Sequence, residues 1–211
     1  MGLLINREIE DGCRIGLWEI TEDYETLFSM TCLNDQDISR LNSFRCLSRK
    51  TEWLSVRALL QQITRPDAHI VYHKQSHKPL LDDGSYNISI SHSYKYTSIL
   101  LGKNKLVGVD LESMSHRIER IAHKFINKSD VITSNPQTRR THLYIHWCAK
   151  EALYKIYDKV DLNFQEDIII KPFEVGTEGY ITGIVHNSFR HEEFKIHYRI
   201  ENNYVWVYCI K

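Results

Sequence analysis

Proline is scarce in this sequence, four in 211 residues, and there are only nine glycines. No Pro-, Gly- or Ser-rich tract therefore marks a flexible linker. The five cysteines, Cys13, Cys32, Cys46, Cys148 and Cys209, contain no CxxC pair. An odd, scattered set does not suggest a disulfide framework or a thiolate metal site. Charge of one sign is missing as well: Lys plus Arg and Asp plus Glu each total 27, so the formal net charge is zero. That balance argues against a protein whose main task is coating nucleic acid or an anionic membrane. The longest aliphatic runs, such as Ile99, Leu100 and Leu101, are far too short to span a bilayer. The first eleven residues mix Arg7, Glu8 and Glu10 with their apolar positions, which leaves no signal-peptide core, and a cytoplasmic location is expected. No GxGxxG, GxxxxGK[ST] or GxSxG is present, so a Rossmann site, a P-loop and an acyl-enzyme serine are unsupported.

What is present is ordinary globular composition, 42% apolar and 26% charged. An N-terminal strand region includes residues 14–20 around Trp18. Residues 35–63 read as one long helix, because Leu41, Phe44, Leu47, Thr51, Leu54, Ala58 and Leu59 recur at three- and four-residue steps. Pro66 and Asp67 stop it. Short strands are expected at 70–72, 87–92, 97–101 and 106–112, the last two joined as a hairpin through residues 102–105. Helices return at 117–125 and 139–157. Strands at 167–175, 179–186, 193–200 and 204–210 close the chain, each rich in β-branched or aromatic residues. Helices and antiparallel strands thus occur in both halves. The expectation is an α+β fold of two lobes, residues 1–104 and 105–211.

Three segments could carry chemistry. Gly108-Val109-Asp110-Leu111-Glu112 ends an apolar strand, and residues two apart point the same way, so Asp110 and Glu112 present paired carboxylates. Two anions together call for a cation, and Mg²⁺ favours carboxylate oxygens while keeping positions for water and phosphate. The alternative is a solvated acidic strand end. On a helix, Trp147-Cys148-Ala149-Lys150-Glu151-Ala152-Leu153-Tyr154-Lys155 places Glu151 and Lys155 on one face. They form either a surface pair worth ~0.3–0.5 kcal/mol or a functional pair, with Glu151 a third metal ligand or a base and Lys155 neutralising phosphate. Ile88-Ser89-Ile90-Ser91-His92-Ser93 can offer several donors to a phosphate, or can be a plain polar turn. His142 and His146 also share a helix face, but without HExxH they read as a partly exposed pair rather than a zinc site.

In this order the segments resemble the 4′-phosphopantetheinyl transferase superfamily, in particular its Sfp-type branch. That family is marked by a G-[IV]-D-x-E strand and a W-x-x-K-E-[AS]-x-x-K helix. Ile90-Ser91-His92-Ser93 resembles its ISHS element, and Lys78-Pro79-Leu80 its [GK]-x-P-L region. Arg49-Lys50-Thr51-Glu52-Trp53-Leu54-Ser55-Val56-Arg57 resembles its R-x-x-E-[WF]-L-x-x-R helix. The resemblance implies two similar α+β lobes with pseudo-twofold symmetry, the site lying in the cleft between them. It implies Mg²⁺- or Mn²⁺-dependent transfer of phosphopantetheine from coenzyme A to a serine of an acyl or peptidyl carrier protein, with release of adenosine 3′,5′-bisphosphate. It assigns the metal to Asp110, Glu112 and Glu151, and charge at the pyrophosphate to Lys155 and Lys150. Ser91 and His92 fall at the nucleotide end, His92 on the 3′-phosphate, with Arg49, Arg57 and Lys78 as further contacts and Pro79 shaping the pocket. Glu151, Lys155 and Glu112 are the catalytic candidates, and the base is open between Glu151, Glu112 and a water at the metal.

Two departures from the family pattern stand out. His77 precedes Lys78 where glycine is common, and Asp130 falls where the family often has Glu. A monomer with no nucleic-acid or membrane partner is expected. A metal-dependent nuclease is the main rival, although residue 153, two before Lys155, is Leu rather than a carboxylate. An inactive binding module of the same fold is the other.

Overall fold

The computed structural model describes residues 2–157 and 162–211. It divides into two compact units, Met1–Asn104 and Lys105–Lys211, each with its own antiparallel sheet and apolar core. The class is α+β.

The first unit begins with strands β1 (Leu3–Glu10) and β2 (Cys13–Glu19), followed by helices α1 (Tyr24–Met30), α2 (Asp35–Ser43) and α3 (Leu47–Ile63). Strands β3 (Ile70–Tyr72), β4 (Pro79–Leu81), β5 (Asn87–Ser93) and β6 (Tyr96–Gly102) complete it. The sheet order is β1-β2-β6-β5-β4-β3. Trp18, Leu54, Leu59, Ile88, Ile99 and Leu101 form its core, which holds α3 against the central strands. The residues expected as one long helix are two. Phe44 takes an extended backbone (φ −79°, ψ 130°), and its ring packs on Trp53 at 6.2 Å with the guanidinium groups of Arg40 and Arg49 over it. Burying that ring turns the chain and separates α2 from α3. Helix α1 was not signalled by periodicity, since it spans seven residues with Leu27 alone buried. It is started by Asp23, whose carboxylate accepts from the Thr26 N–H at 2.9 Å.

The second unit contains β7 (Val107–Ser113), α4 (Arg117–Ile121) with a 3₁₀ turn at Ala122–Lys124, and α5 (Pro136–Ile156). Strands β8 (Ile168–Ile170), β9 (Glu178–Asn187), β10 (Arg190–Glu201) and β11 (Tyr204–Ile210) follow. Their order is β7-β11-β10-β9-β8. The expected hairpin between β6 and β7 does not form: β6 pairs with β2 and β5, β7 pairs with β11, and residues 102–105 cross from one unit to the other. The strand expected over 167–175 stops at Ile170, because Pro172 has no N–H to give the ladder.

Helix α5 starts at an Asn135 cap with Pro136 in its first turn. Its buried face, including Leu143, Cys148, Ala149, Ala152 and Leu153, packs on the sheet. Gly108 is required there, since a Cβ on it would collide with the carbonyl oxygen of Ala152. The glycine of the strand motif therefore brings β7 onto the helix that carries Glu151 and Lys155. Among the described residues, no helix is long and apolar enough to cross a membrane.

Candidate functional site

In the second unit the motif strand and the motif helix meet through one ammonium group. Lys155 Nζ donates to Asp110 Oδ1 at 2.7 Å and to the Val109 carbonyl at 2.8 Å. Asp110 is buried, while one fifth of the Lys155 side chain remains exposed. Glu112 is half-buried two residues along β7, on the same side of the strand as Asp110. Cys148 lies beside both acids: burial first, then the negative charges of Asp110 and Glu112, push its thiol well above the ordinary cysteine value, with Lys155 opposing. Glu151 is half-buried on α5 and precedes Lys155 by one turn. The partner of Lys155 is thus an acid on another element rather than its helical neighbour alone.

Among the described residues, no three His, Cys, Asp or Glu side chains are gathered as a metal site. The chemistry of the donor set nevertheless suits a hard divalent ion. Asp110 and Glu112 offer carboxylate oxygens from one strand end, the donor type such an ion takes. The cation at Asp110 in this structure is the Lys155 ammonium.

Lys150, expected at the pyrophosphate, points elsewhere. Its ammonium is fully buried, bonded to Asp130 Oδ2 at 2.7 Å and to the Phe125 carbonyl at 2.7 Å. Burial lowers its pKa, with Asp130 opposing. Asp130 also accepts from the N–H groups of Asn127 and Ile170. This pair staples the 125–130 segment and β8 to α5. The histidine pair is likewise interior, not partly exposed: His142 and His146 are 3% and 0% exposed. His142 Nδ1 accepts from the Thr133 N–H, His146 Nδ1 donates to the His142 carbonyl, and Phe173 packs on both rings.

In the first unit, Arg49 near the start of α3 and His92 on β5 are brought together by Glu52. His92 Nδ1 lies 2.7 Å from Glu52 Oε1, Arg49 Nη1 is paired with Glu52 Oε2, and the same Arg49 nitrogen is 3.1 Å from His92 Nε2. Burial alone would raise the Glu52 carboxyl, but the His92 and Arg49 hydrogen bonds outweigh it and hold it below its ordinary value. Arg49, Glu52, Tyr94 and Lys95 line a cavity of about 460 Å³. Ser91 is buried on β5, and Lys78 and Pro79 are half-buried at the start of β4. His77 adopts φ 56°, the left-handed conformation that glycine takes at least cost, at the point where the family commonly has glycine.

Arg57 is not at this cavity. It is 2% exposed, stacked over the Trp53 ring at 3.4 Å and 3.5 Å from Asp37 Oδ1, whose other oxygen meets His69 Nδ1 at 2.9 Å. Its guanidinium joins α3 to α2 inside the unit instead of facing a ligand. The sequence reading gave Glu52 no role of its own; its position three residues after Arg49 was the available signal.

Residues 106–209 match the model of the 4′-phosphopantetheinyl transferase superfamily. The match runs from the start of β7 almost to the end of β11, and so contains both the acidic strand and the Lys155 helix. No curated protein sequence matched the chain. Matched along nearly its whole length, the second unit of this chain belongs to the 4′-phosphopantetheinyl transferase superfamily, a family of phosphopantetheine transferases.

Proposed function

We propose that this chain is an Sfp-type enzyme that transfers 4′-phosphopantetheine from coenzyme A to a serine of an acyl or peptidyl carrier protein, releasing adenosine 3′,5′-bisphosphate. The observation that carries the reading is the Lys155–Asp110 contact. It joins the two family motifs through a charged hydrogen bond in a water-poor setting, which a solvated strand end and a surface helix pair would not need.

Asp110, Glu112 and Glu151 are the residues that would hold Mg²⁺ or Mn²⁺. When bound, the ion would supply positive charge to the pyrophosphate of coenzyme A. Lys155 is long enough to serve the same phosphates while anchored at the strand end, adding fixed charge where the leaving phosphate becomes more anionic. Glu151 and Glu112 are the carboxylates proposed to take the proton from the carrier serine. The chain needs no nucleophile of its own, because the carrier brings the attacking hydroxyl.

At the nucleotide end, Arg49 and His92 are proposed to take the 3′-phosphate, with Ser91, Lys78 and Pro79 bordering the nucleotide. Arg57 and Lys150 are left out of the contacts, since their charges are engaged inside the protein. A cytoplasmic enzyme working as a monomer is part of the same proposal.

The test is release of adenosine 3′,5′-bisphosphate from coenzyme A with Mg²⁺, followed by chromatography. Release that requires an apo-carrier with an intact serine supports the reading. Release without carrier points to a phosphodiester-cleaving enzyme, and no release with a broad carrier panel points to a binding module.

A further inference from the structure

Glu52 is the hub of the Arg49–His92 contact. Both of its oxygens are used: Oε1 meets His92 Nδ1 at 2.7 Å and Oε2 pairs with Arg49. A guanidinium can only donate, so the 3.1 Å contact from Arg49 Nη1 makes His92 Nε2 the acceptor. The ring proton then lies on Nδ1 and points at Glu52. One carboxylate therefore fixes the position of the guanidinium and both the orientation and the tautomer of the imidazole. Arg49 is further confined by the Phe44 ring, 5.6 Å from its guanidinium carbon. Without Glu52, Arg49 would be a long side chain with 44% of its surface exposed, free to leave the rim of the cavity.

We propose that Glu52 is a positioning residue that presets Arg49 as a donor and His92 Nε2 as an acceptor for a terminal phosphate monoester, and so sets the preference of this site for a coenzyme carrying that phosphate. The inference rests on the reading above that these two residues take the 3′-phosphate of coenzyme A. Arriving phosphate replaces the Arg49 contact at His92 Nε2. A phosphate hydroxyl donates to Nε2 there while Nδ1–H stays on Glu52, and Arg49 keeps further N–H groups to donate. The carboxylate repels the phosphate, but it also removes the need to order two mobile side chains at the moment of binding. Ordering is the larger effect for so exposed an arginine.

The test compares coenzyme A with 3′-dephospho-coenzyme A in the parent, Glu52→Ala and Glu52→Gln. Glu52→Ala is expected to raise KM for coenzyme A about tenfold with kcat within about twofold, and to leave KM for the dephospho donor nearly unchanged. Glu52→Gln, whose amide oxygen still accepts from His92 Nδ1–H, should keep part of the preference. Nitrogen-15 NMR of the His92 ring should show the proton on Nδ1 in the parent and a shift toward Nε2 in Glu52→Ala. If the alanine variant does not fold, the glutamine variant carries both measurements. A preference unchanged in a parent that discriminates, or tighter coenzyme A binding once the carboxylate is gone, would overturn the role of Glu52. A parent that treats both donors alike overturns the placement of the 3′-phosphate, and with it the specificity role. In that case an unchanged His92 tautomer in the variants also removes the positioning role.

Discussion

Replacing Lys155 with methionine separates a structural lysine from a catalytic one, because the contact seen in the structure and the proposed catalytic role predict different measurements. Methionine keeps most of the aliphatic stem and deletes the ammonium that bonds Asp110 Oδ1 and the Val109 carbonyl. Breaking a fully buried ion pair costs about 3–5 kcal/mol, whereas a hydrogen bond to a charged group contributes about 1.5–3 kcal/mol. Asp110 is buried but Lys155 is one-fifth exposed, so water can partly replace the lost charge, and a loss of about 2 kcal/mol is expected. For a chain of this length that lowers the melting midpoint by about 4–8 °C. A surface Glu151–Lys155 pair would contribute only ~0.3–0.5 kcal/mol, a shift of about 2 °C at most. Calorimetry therefore shows which acid Lys155 serves. Turnover is measured at 25 °C, where both proteins are folded, with coenzyme A, Mg²⁺ and apo-carrier. A charge facing the pyrophosphate predicts a rate reduced ~10²-fold or more. A variant with the lowered midpoint and near-parental turnover would refute the catalytic assignment and leave Lys155 as a tie between β7 and α5.

Asp110→Ala should reduce turnover by orders of magnitude and abolish any rise of the melting midpoint on adding Mg²⁺, the second effect being read by calorimetry without substrate. Lys150→Met should be more destabilising than Lys155→Met, by about 3–5 kcal/mol, since it strands Asp130 in the interior; a midpoint near the parent's would contradict the staple. Burial brings His146 down to about 4, so as pH falls below about 6.5 the unfolded chain binds a proton that the folded one refuses. Stability from this residue is full above that value and is lost between about 6.5 and 4, by at most about 3 kcal/mol. Melts at pH 7 and 5 should show a smaller drop in His146→Leu than in the parent. Cys32 and Cys46 are exposed, and hydrogen bonds led by Ser48 lower the Cys46 thiol, whereas burial pushes Cys209 up to about 12. A thiol reagent should modify Cys46 first and reach Cys13, Cys148 and Cys209 only on unfolding.

Much of the architecture was legible where local pattern and environment agree. The run 204–210 reads as a strand and is one, β11, and the spacing through 139–157 reads as the body of α5. The α+β class follows from such segments. What escaped were features decided at a distance. Nothing near Phe44 says that its ring will dock on Trp53 and break the helix. Residues 102–105 look like a hairpin turn, but both edges of β6 are taken by β2 and β5. For the site, the strand and helix motifs could be placed on their elements, but the direction of each charge could not. Arg57 and Lys150 look like free surface cations until Asp37 and Asp130, 20 residues before each, are seen beside them. A buried cation is so uncommon that sequence alone favours the exposed reading. Glu52 shows the converse: an ordinary i, i+3 pairing with Arg49 that gains a second partner from β5 only in the folded unit.

The central claim is that phosphopantetheine passes to a carrier serine, and the intact mass of the carrier tests it most directly. An apo-carrier incubated with the chain, coenzyme A and Mg²⁺ should gain the mass of one phosphopantetheine, and the same carrier with its acceptor serine changed to alanine should gain nothing. Apo-carriers from fatty-acid, polyketide and peptide assembly that all keep their starting mass, in the presence of folded protein, would contradict the account.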